Sequence, residues 1–288
     1  ELQQKGLIEL NIGRPIKALK KATTFRRHSL DEIKTGSMAG DDDAHRLATA
    51  LFNRSFVFGE KTIKPFWTVS HTGRVISSNP NIQGENSEKR LSGLKAGLKP
   101  GQVLVHADIK QAEPTIIKHL LHFPQERDLY QQYIAATGCT RKDAKPKINT
   151  LSYCRNSLAF YRHWPIQAQT ALDDYVKVLD RYKMDLFAAC RRTRSVTTLT
   201  GRTINAEKGL RLHPGMVMNW RIQGTVADVI NAACLRLLDH ATVVVPLHDA
   251  IYAVLPGEQA EIVTEAIADK AHEIGLALTI KADKVFGG

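Results

Sequence analysis

Residues 102–108 alternate Val103, Val105 and Ala107 with polar or small partners, the period of a half-buried strand, and the run ends in a carboxylate, Asp108. The period then changes: over residues 111–122, Ile116, Ile117, Leu120 and Leu121 recur at helical spacing. Two β-rich runs, 241–245 and 250–255, are separated by Pro246-Leu247-His248-Asp249, which predicts a hairpin with His-Asp at its bend. Residues 126–240 between these strand regions read as mostly helical. Residues 258–275 read as a final amphipathic helix before a short strand at 277–280. The first 70 residues read as short helical pieces broken at Gly36–Ser37 and at 40–43, where the aspartates form a polar turn leading into a helix from Ala44. No internal repeat or low-complexity segment is present. The pattern predicts an α+β chain whose antiparallel sheet carries a helical insertion, with Asp108 and Asp249 at the ends of two strands.

The chain has 288 residues, 43% hydrophobic and 24% charged, enough for one large domain or two ordinary ones with a real core. No apolar run approaches the ~18–20 residues of a membrane span, and the N-terminal residues lack a signal-peptide apolar stretch. The expectation is a soluble, intracellular protein, cytoplasmic and nucleoid-associated, with no membrane partner. Cys139, Cys154, Cys190 and Cys234 have neither zinc-site spacing nor disulfide density, and read as reduced thiols. Forty Lys plus Arg against 29 Asp plus Glu give a net charge of +11. Basic residues gather at Lys17, Lys20, Lys21, Arg26 and Arg27, over residues 141–147, and at 191–194. Such clusters serve phosphate-backbone binding or form a solvated basic surface, and charge alone leaves both open.

Two carboxylates at one sheet edge suit a pair of divalent cations, or are a turn-former and a strand-ending cap. Arg141, Lys145, Asn149 and Tyr153 recur every four residues, so on a helix they share one face. That face either lines a nucleotide or is a solvated helix end. Pro146 lies inside the same helix, where proline ordinarily kinks or breaks it. His119 and His122, at i, i+3 spacing without a third ligand, read as packing and surface.

Five segments, HTGRVISSNPNIQGEN (71–86), HADIKQAEP (106–114), RKDAKPKINTLSYC (141–154), NWRIQGTVAD (219–228) and PLHDA (246–250), stand in an order that resembles the family A, polymerase I-like DNA polymerases. The resemblance spans about three quarters of the chain. It implies that Asp108 and Asp249 are the catalytic, metal-binding aspartates, with the carbonyl of Ile109 as an additional ligand. The cofactor implied is Mg²⁺, two ions, with Mn²⁺ as a substitute. By the same resemblance Arg141 and Lys145 hold the triphosphate and Tyr153 packs near the templating base. Glu113 is the steric gate beside the sugar, with Gln111 also matching. Arg74, Asn81 and Gln83 reach the primer-template minor groove or backbone, Asn219 and Gln223 the template side and the primer-terminal pair, and His248 the primer-terminal phosphate. Three positions depart from the family: Ala250 stands where it has Glu, Asn149 where it has an aromatic, and Tyr130 where relatives often carry a triphosphate-binding His. Tyr130 reads as structural.

The implied fold is a right-hand polymerase with an antiparallel palm sheet, helical fingers and a reduced N-terminal thumb. Its divisions are 1–70 (helical, thumb-like), 71–123 (palm), 124–216 (fingers) and 217–288 (palm). Only 70 residues precede the first segment, so neither a proofreading exonuclease nor a 5′ nuclease domain is expected in this chain. The implied function is template-directed DNA synthesis by a monomer acting on primer-template DNA and dNTPs, in gap filling, lesion bypass or replication of a phage or mobile element. Reverse transcription of RNA templates, and a catalytically decayed DNA-binding protein, are the alternatives.

Overall fold

A computed structural model describes residues 42–287. The basic stretch at 17–27, the turn at Gly36–Ser37 and most of the expected thumb lie outside the described residues. Helix α1 (Asp43–Phe52) opens as the acidic turn predicts, with the Asp42 side chain accepting from His45 N. The helical expectation for residues up to 70 ends there. Strands β1 (Phe56–Phe58) and β2 (Lys61–Ile63) form one hairpin, and β3 (Phe66–Val69) with β4 (Val75–Ser78) a second. The β-branched and aromatic residues around Gly59, which takes φ 64°, favour strands over helix.

Helix α2 (Ser87–Lys95) leads into β5 (Gln102–Ile109), the predicted strand, and then α3 (Ala112–Leu120). β5 lies inside a four-stranded antiparallel sheet of order β10-β5-β9-β8, formed with β8 (Val243–Leu247), β9 (Ala250–Pro256) and β10 (Ile280–Phe286). The predicted hairpin is β8–β9, and β8 runs on through Pro246, which an edge strand tolerates because it needs no further N–H donor. β10 begins where the expected 277–280 strand ends. Lys281, Asp283 and Lys284 give it the charged look of a protected sheet edge, which hides it from an alternation argument.

The insertion contains α4 (Leu129–Thr137), α5 (Arg141–Tyr153), α6 (Ser157–Tyr161) and the 28-residue α7 (Ile166–Thr193). It also holds a hairpin that helical periodicity missed, β6 (Ser195–Thr197) and β7 (Thr203–Asn205). Helix α8 (Pro214–Leu237) starts with proline at its first position and is buried along most of its length. The final helix is shorter than its predicted span: a 3₁₀ turn over Gly257–Gln259 precedes α9 (Ile262–Glu273). One apolar core joins the β5–β8–β9 sheet to α3, α7, α8 and α9. Its centre is filled by residues such as Leu104, Val105, Ile251 and Ile267. No helix among the described residues is long and apolar enough to cross a membrane.

Candidate active site

The sheet register brings the two aspartates together. Asp108 pairs with Ala250, and one residue further Ile109 N donates to the Asp249 carbonyl at 2.9 Å. The β8–β9 turn has only His248 and Asp249 between its strands, and His248 takes φ 41° where a two-residue hairpin usually requires glycine. Gln111, just past Asp108, is also left-handed at φ 52°. Two strained residues thus border the carboxylates, as is common where backbone is held for chemistry. Burial, and then the charge of Asp249, push the Asp108 carboxyl above its ordinary value; His106, Lys145 and Lys281 pull it back. Lys145 of α5 is therefore within electrostatic reach of the sheet edge.

Helix α5 continues unbroken through Pro146. The proline is exposed, so the Lys142 carbonyl that it leaves without a donor faces water rather than core. Thr140 caps the helix by accepting from Asp143 N. Its polar face meets two other elements. Tyr153 O–H donates to Glu113 Oε2 at 2.7 Å, and Gln223 Nε2 of α8 donates to Glu113 Oε1 at 3.1 Å. Both carboxylate oxygens of Glu113 are thus held. Asn149 Oδ1 accepts from Tyr130 O–H at 3.0 Å, while Arg141 is exposed, 3.3 Å from Asp128 and over the Tyr130 ring. Tyr130 itself is 3% exposed, its hydroxyl turned to Asn149.

Arg74, Asn81, Gln83 and His248 line a cleft of about 350 Å³ beside the turn. The Arg74 Nε is buried without a partner among the described residues. Partial burial, and then Arg74, hold His248 below its ordinary value. Asn81 is exposed, its Oδ1 accepting from Gly84 N. Gln83 is different: it accepts from Ser77 N at 2.8 Å and donates to the carbonyls of Val75 and Pro246 at 2.8 and 2.6 Å. Its side chain ties this loop to β8. Asn219 lies half-buried one turn before Gln223.

Four supporting residues escaped the sequence reading. Arg202, in the β6–β7 turn, donates to Asp228 Oδ1 at 2.5 Å and to the Thr72 carbonyl at 2.8 Å, and packs so closely that a Cβ on Gly73 would meet it at 2.6 Å. Asn231 donates to the Gly73 carbonyl at 2.8 Å. Together they fix the turn that carries Arg74. Arg90, 6% exposed, donates to the carbonyls of Ile82, Gln83 and Glu85. Lys183, fully buried, donates to the Cys154 carbonyl at 2.9 Å and to Ser157 Oγ, anchoring the end of α5. A buried Asp in the apolar run of α8 was a legible signal for Asp228. Arg202 and Lys183 sit in unremarkable polar surroundings and gave none. Gly215 lets α8 meet the same end of α5, since a Cβ there would stand 1.8 Å from the Tyr153 carbonyl oxygen.

Among the described residues no group of three or more His, Cys, Asp or Glu side chains gathers around a common point. Asp108 and Asp249 are a hard-oxygen pair whose mutual repulsion a divalent cation would relieve, so the residues present fit an ion that also takes substrate phosphates and water.

The fold is shared with the POL domain of Pol1 from M. smegmatis, solved in complex with DNA primer-template and dNTP. The TM-score is 0.61 at 19% identity, covering 85% of this chain and 51% of that one. A DNA polymerase I of Rhizobium leguminosarum is 26% identical over 216 residues, 64% of this chain and 21% of its own length. The chain thus spans about a fifth of that relative and half of the solved one. The family model for DNA polymerase family A matches residues 56–287, the stretch that contains both aspartates, the α5 face and the Glu113 contacts, and the chain belongs to that family.

Proposed function

We propose that this chain performs template-directed DNA synthesis, adding a deoxynucleotide to a primer 3′-hydroxyl with release of pyrophosphate. The observation that carries the reading is the convergence of three elements: the paired carboxylates at the β5 and β9 ends, Lys145 within electrostatic reach of them, and Glu113 held by Tyr153 and Gln223. In this reading Asp108 and Asp249, with the Ile109 carbonyl, hold two Mg²⁺ ions, Mn²⁺ being a substitute. When bound, the ions lower the pKa of the primer hydroxyl and neutralise the triphosphate. Arg141 exchanges its exposed contact with Asp128 for the polyphosphate, which a guanidinium fork suits, and Lys145 adds a point charge. Glu113 occupies the space beside C2′ and selects deoxyribose. Arg74 and Asn81 contact the minor-groove side of primer-template DNA, Gln83 supports their loop, and Asn219 and His248 meet the template side and the primer end.

The domain reading follows: palm in two parts, 71–123 and 217–288, and fingers over 124–216. Primer extension by the purified chain on DNA and on RNA templates, with Mg²⁺ and with Mn²⁺, is the test. Extension on DNA supports the reading; extension on RNA alone replaces it with reverse transcription; none on either refutes synthesis.

A further inference from the structure

The nucleotide-facing side of α5 carries a cation at Arg141, a cation at Lys145, an amide at Asn149 and a phenol at Tyr153. The two cations only donate, and the Tyr153 hydroxyl is committed as a donor to Glu113. The amide can do either: its oxygen accepts and its nitrogen donates, and which edge faces outward depends on what holds the other. Tyr130 holds it. This residue is in the first turn of α4, where Asp128 Oδ1 accepts from the Tyr130 and Gln131 amides at 2.9 and 3.1 Å. The Arg141 guanidinium lies 5.0 Å from the ring centre, and the ring is buried. With the ring fixed on both sides, the hydroxyl reaches Asn149 Oδ1 at 3.0 Å. Burial first, then the charge of Glu113, push that hydroxyl up to about 12, so it stays a proton donor through the neutral range. The Asn149 amide nitrogen has no partner among the described residues.

Position along the helix says what the free edge meets. One turn before Asn149 is Lys145, which senses the charge of Asp108; one turn after is Tyr153, bonded to Glu113. Asn149 therefore lies between the carboxylate side and the Glu113 side of the pocket. We propose that Tyr130 is a positioning residue that sets nucleotide affinity: by holding the Asn149 amide oxygen, it directs the amide N–H groups toward an oxygen of the incoming nucleotide between its sugar and its polyphosphate. The inference rests on the polymerase reading above. An oxygen acceptor is required at that point of the ligand, and a carboxylate on the protein side would repel it.

The test is single-nucleotide incorporation with Tyr130→Phe, Asn149→Ala, the double variant and Asn149→Asp, alongside primer-template affinity and melting temperature. Tyr130→Phe keeps the ring beneath Arg141 and frees the amide to turn over. It is expected to raise the dNTP KM about three- to tenfold, the range of one neutral hydrogen bond, with primer-template affinity unchanged. In the Asn149→Ala background the same substitution is expected to change nothing, because the group it positions is gone. Asn149→Asp still accepts from Tyr130 yet offers no donor and adds a negative charge, so its KM rises further while its melting temperature holds. This variant tests the Asn149 contact without altering a buried aromatic; if Tyr130→Phe melts early, the double-variant comparison is made below its melting temperature and still decides the role of Tyr130. An unchanged KM in Tyr130→Phe, or equal losses with and without Asn149, overturns the inference while leaving the polymerase reading intact. A wild-type chain that extends no primer overturns both.

Discussion

Tyr153, at the last turn of α5, donates to Glu113 Oε2, and the other oxygen of that carboxylate is taken by Gln223. Glu113 on α3 is thus gripped from two helices that are distant in sequence. A side chain with three rotatable bonds has little freedom left when both oxygens are bonded, and the steric gate proposed for Glu113 needs such rigidity to exclude one hydroxyl. Glu113→Ala is expected to raise ribonucleotide use relative to deoxynucleotide use by one to two powers of ten, about 1.4–2.7 kcal/mol. Tyr153→Phe, which removes one of the two bonds, should shift the same ratio about three- to tenfold. Matched single-nucleotide kinetics measure both, and an unchanged ratio in a folded Glu113→Ala protein means that discrimination lies elsewhere.

Loss of either strand-end carboxylate should be far more severe. Asp108→Asn and Asp249→Asn are each expected to reduce extension about a thousandfold or more, equivalent to about 4 kcal/mol of barrier. Primer-template affinity should survive, because the residues assigned to DNA lie on other elements. Gel-shift and extension assays on the same preparations separate the two effects; substantial synthesis by either variant contradicts the two-ion assignment.

The environment of Asp108 has a consequence for stability. Burial, and then the charge of Asp249, raise its carboxyl in the metal-free fold, so the folded state binds this proton more tightly than the unfolded chain does. Its contribution favours folding below the unfolded carboxyl value and is lost as pH rises through the folded one. Asp108→Asn should therefore melt above wild type in chelator at about pH 8, with the advantage shrinking toward about pH 4. Added Mg²⁺ should raise the wild-type melting temperature and leave the variant's nearly unmoved. A variant that melts lower than wild type in chelator at both pH values would count against this account.

Arg202 and Asp228 form an ion pair with side chains only 16% and 10% exposed. Arg202→Ala leaves the Asp228 carboxylate buried without its partner and should cost about 3–5 kcal/mol in urea unfolding. Asp228→Asn, which keeps a polar group beside Thr200 and Arg202, should cost less. Because Arg202 also holds the Thr72 carbonyl, the Arg202→Ala protein should bind primer-template more weakly. A stability loss below about 1 kcal/mol shows the pair to be dispensable.

The strands that end at Asp108 and begin after Asp249, and the α5 face, were legible because each is local: alternation ends at Asp108, and four residues recur at a helical period. Short segments with family spacing then named the neighbours. What stayed hidden depends on contacts made across the chain. The β6–β7 hairpin is three residues per strand, too short to show a period within a helical span. β10 reads as a charged tail until β5 is set beside it. Gln83 has a family match that points toward DNA, but whether an amide faces outward or bonds inward is decided by carbonyls on another strand. Asn149 departs from the family's aromatic, and its partner Tyr130 lies on another helix, a pairing that no local spacing encodes.

The sheet order also sets when Asp108 and Asp249 can come together. β5 lies between β9 and β10, and both partners are encoded after the entire helical insertion. As the chain leaves the ribosome, Val103, Leu104 and Val105 have no strand to pair with while the long helices are made. The entropy of closing so large a loop opposes the pairing that joins Asp108 to Asp249, and sheets with such distant partners form slowly. The helical insertion has mostly local contacts and can organise early. The four-stranded sheet is thus a late product of folding, and the apolar β5 is the segment most exposed to mispairing until the C-terminal strands arrive.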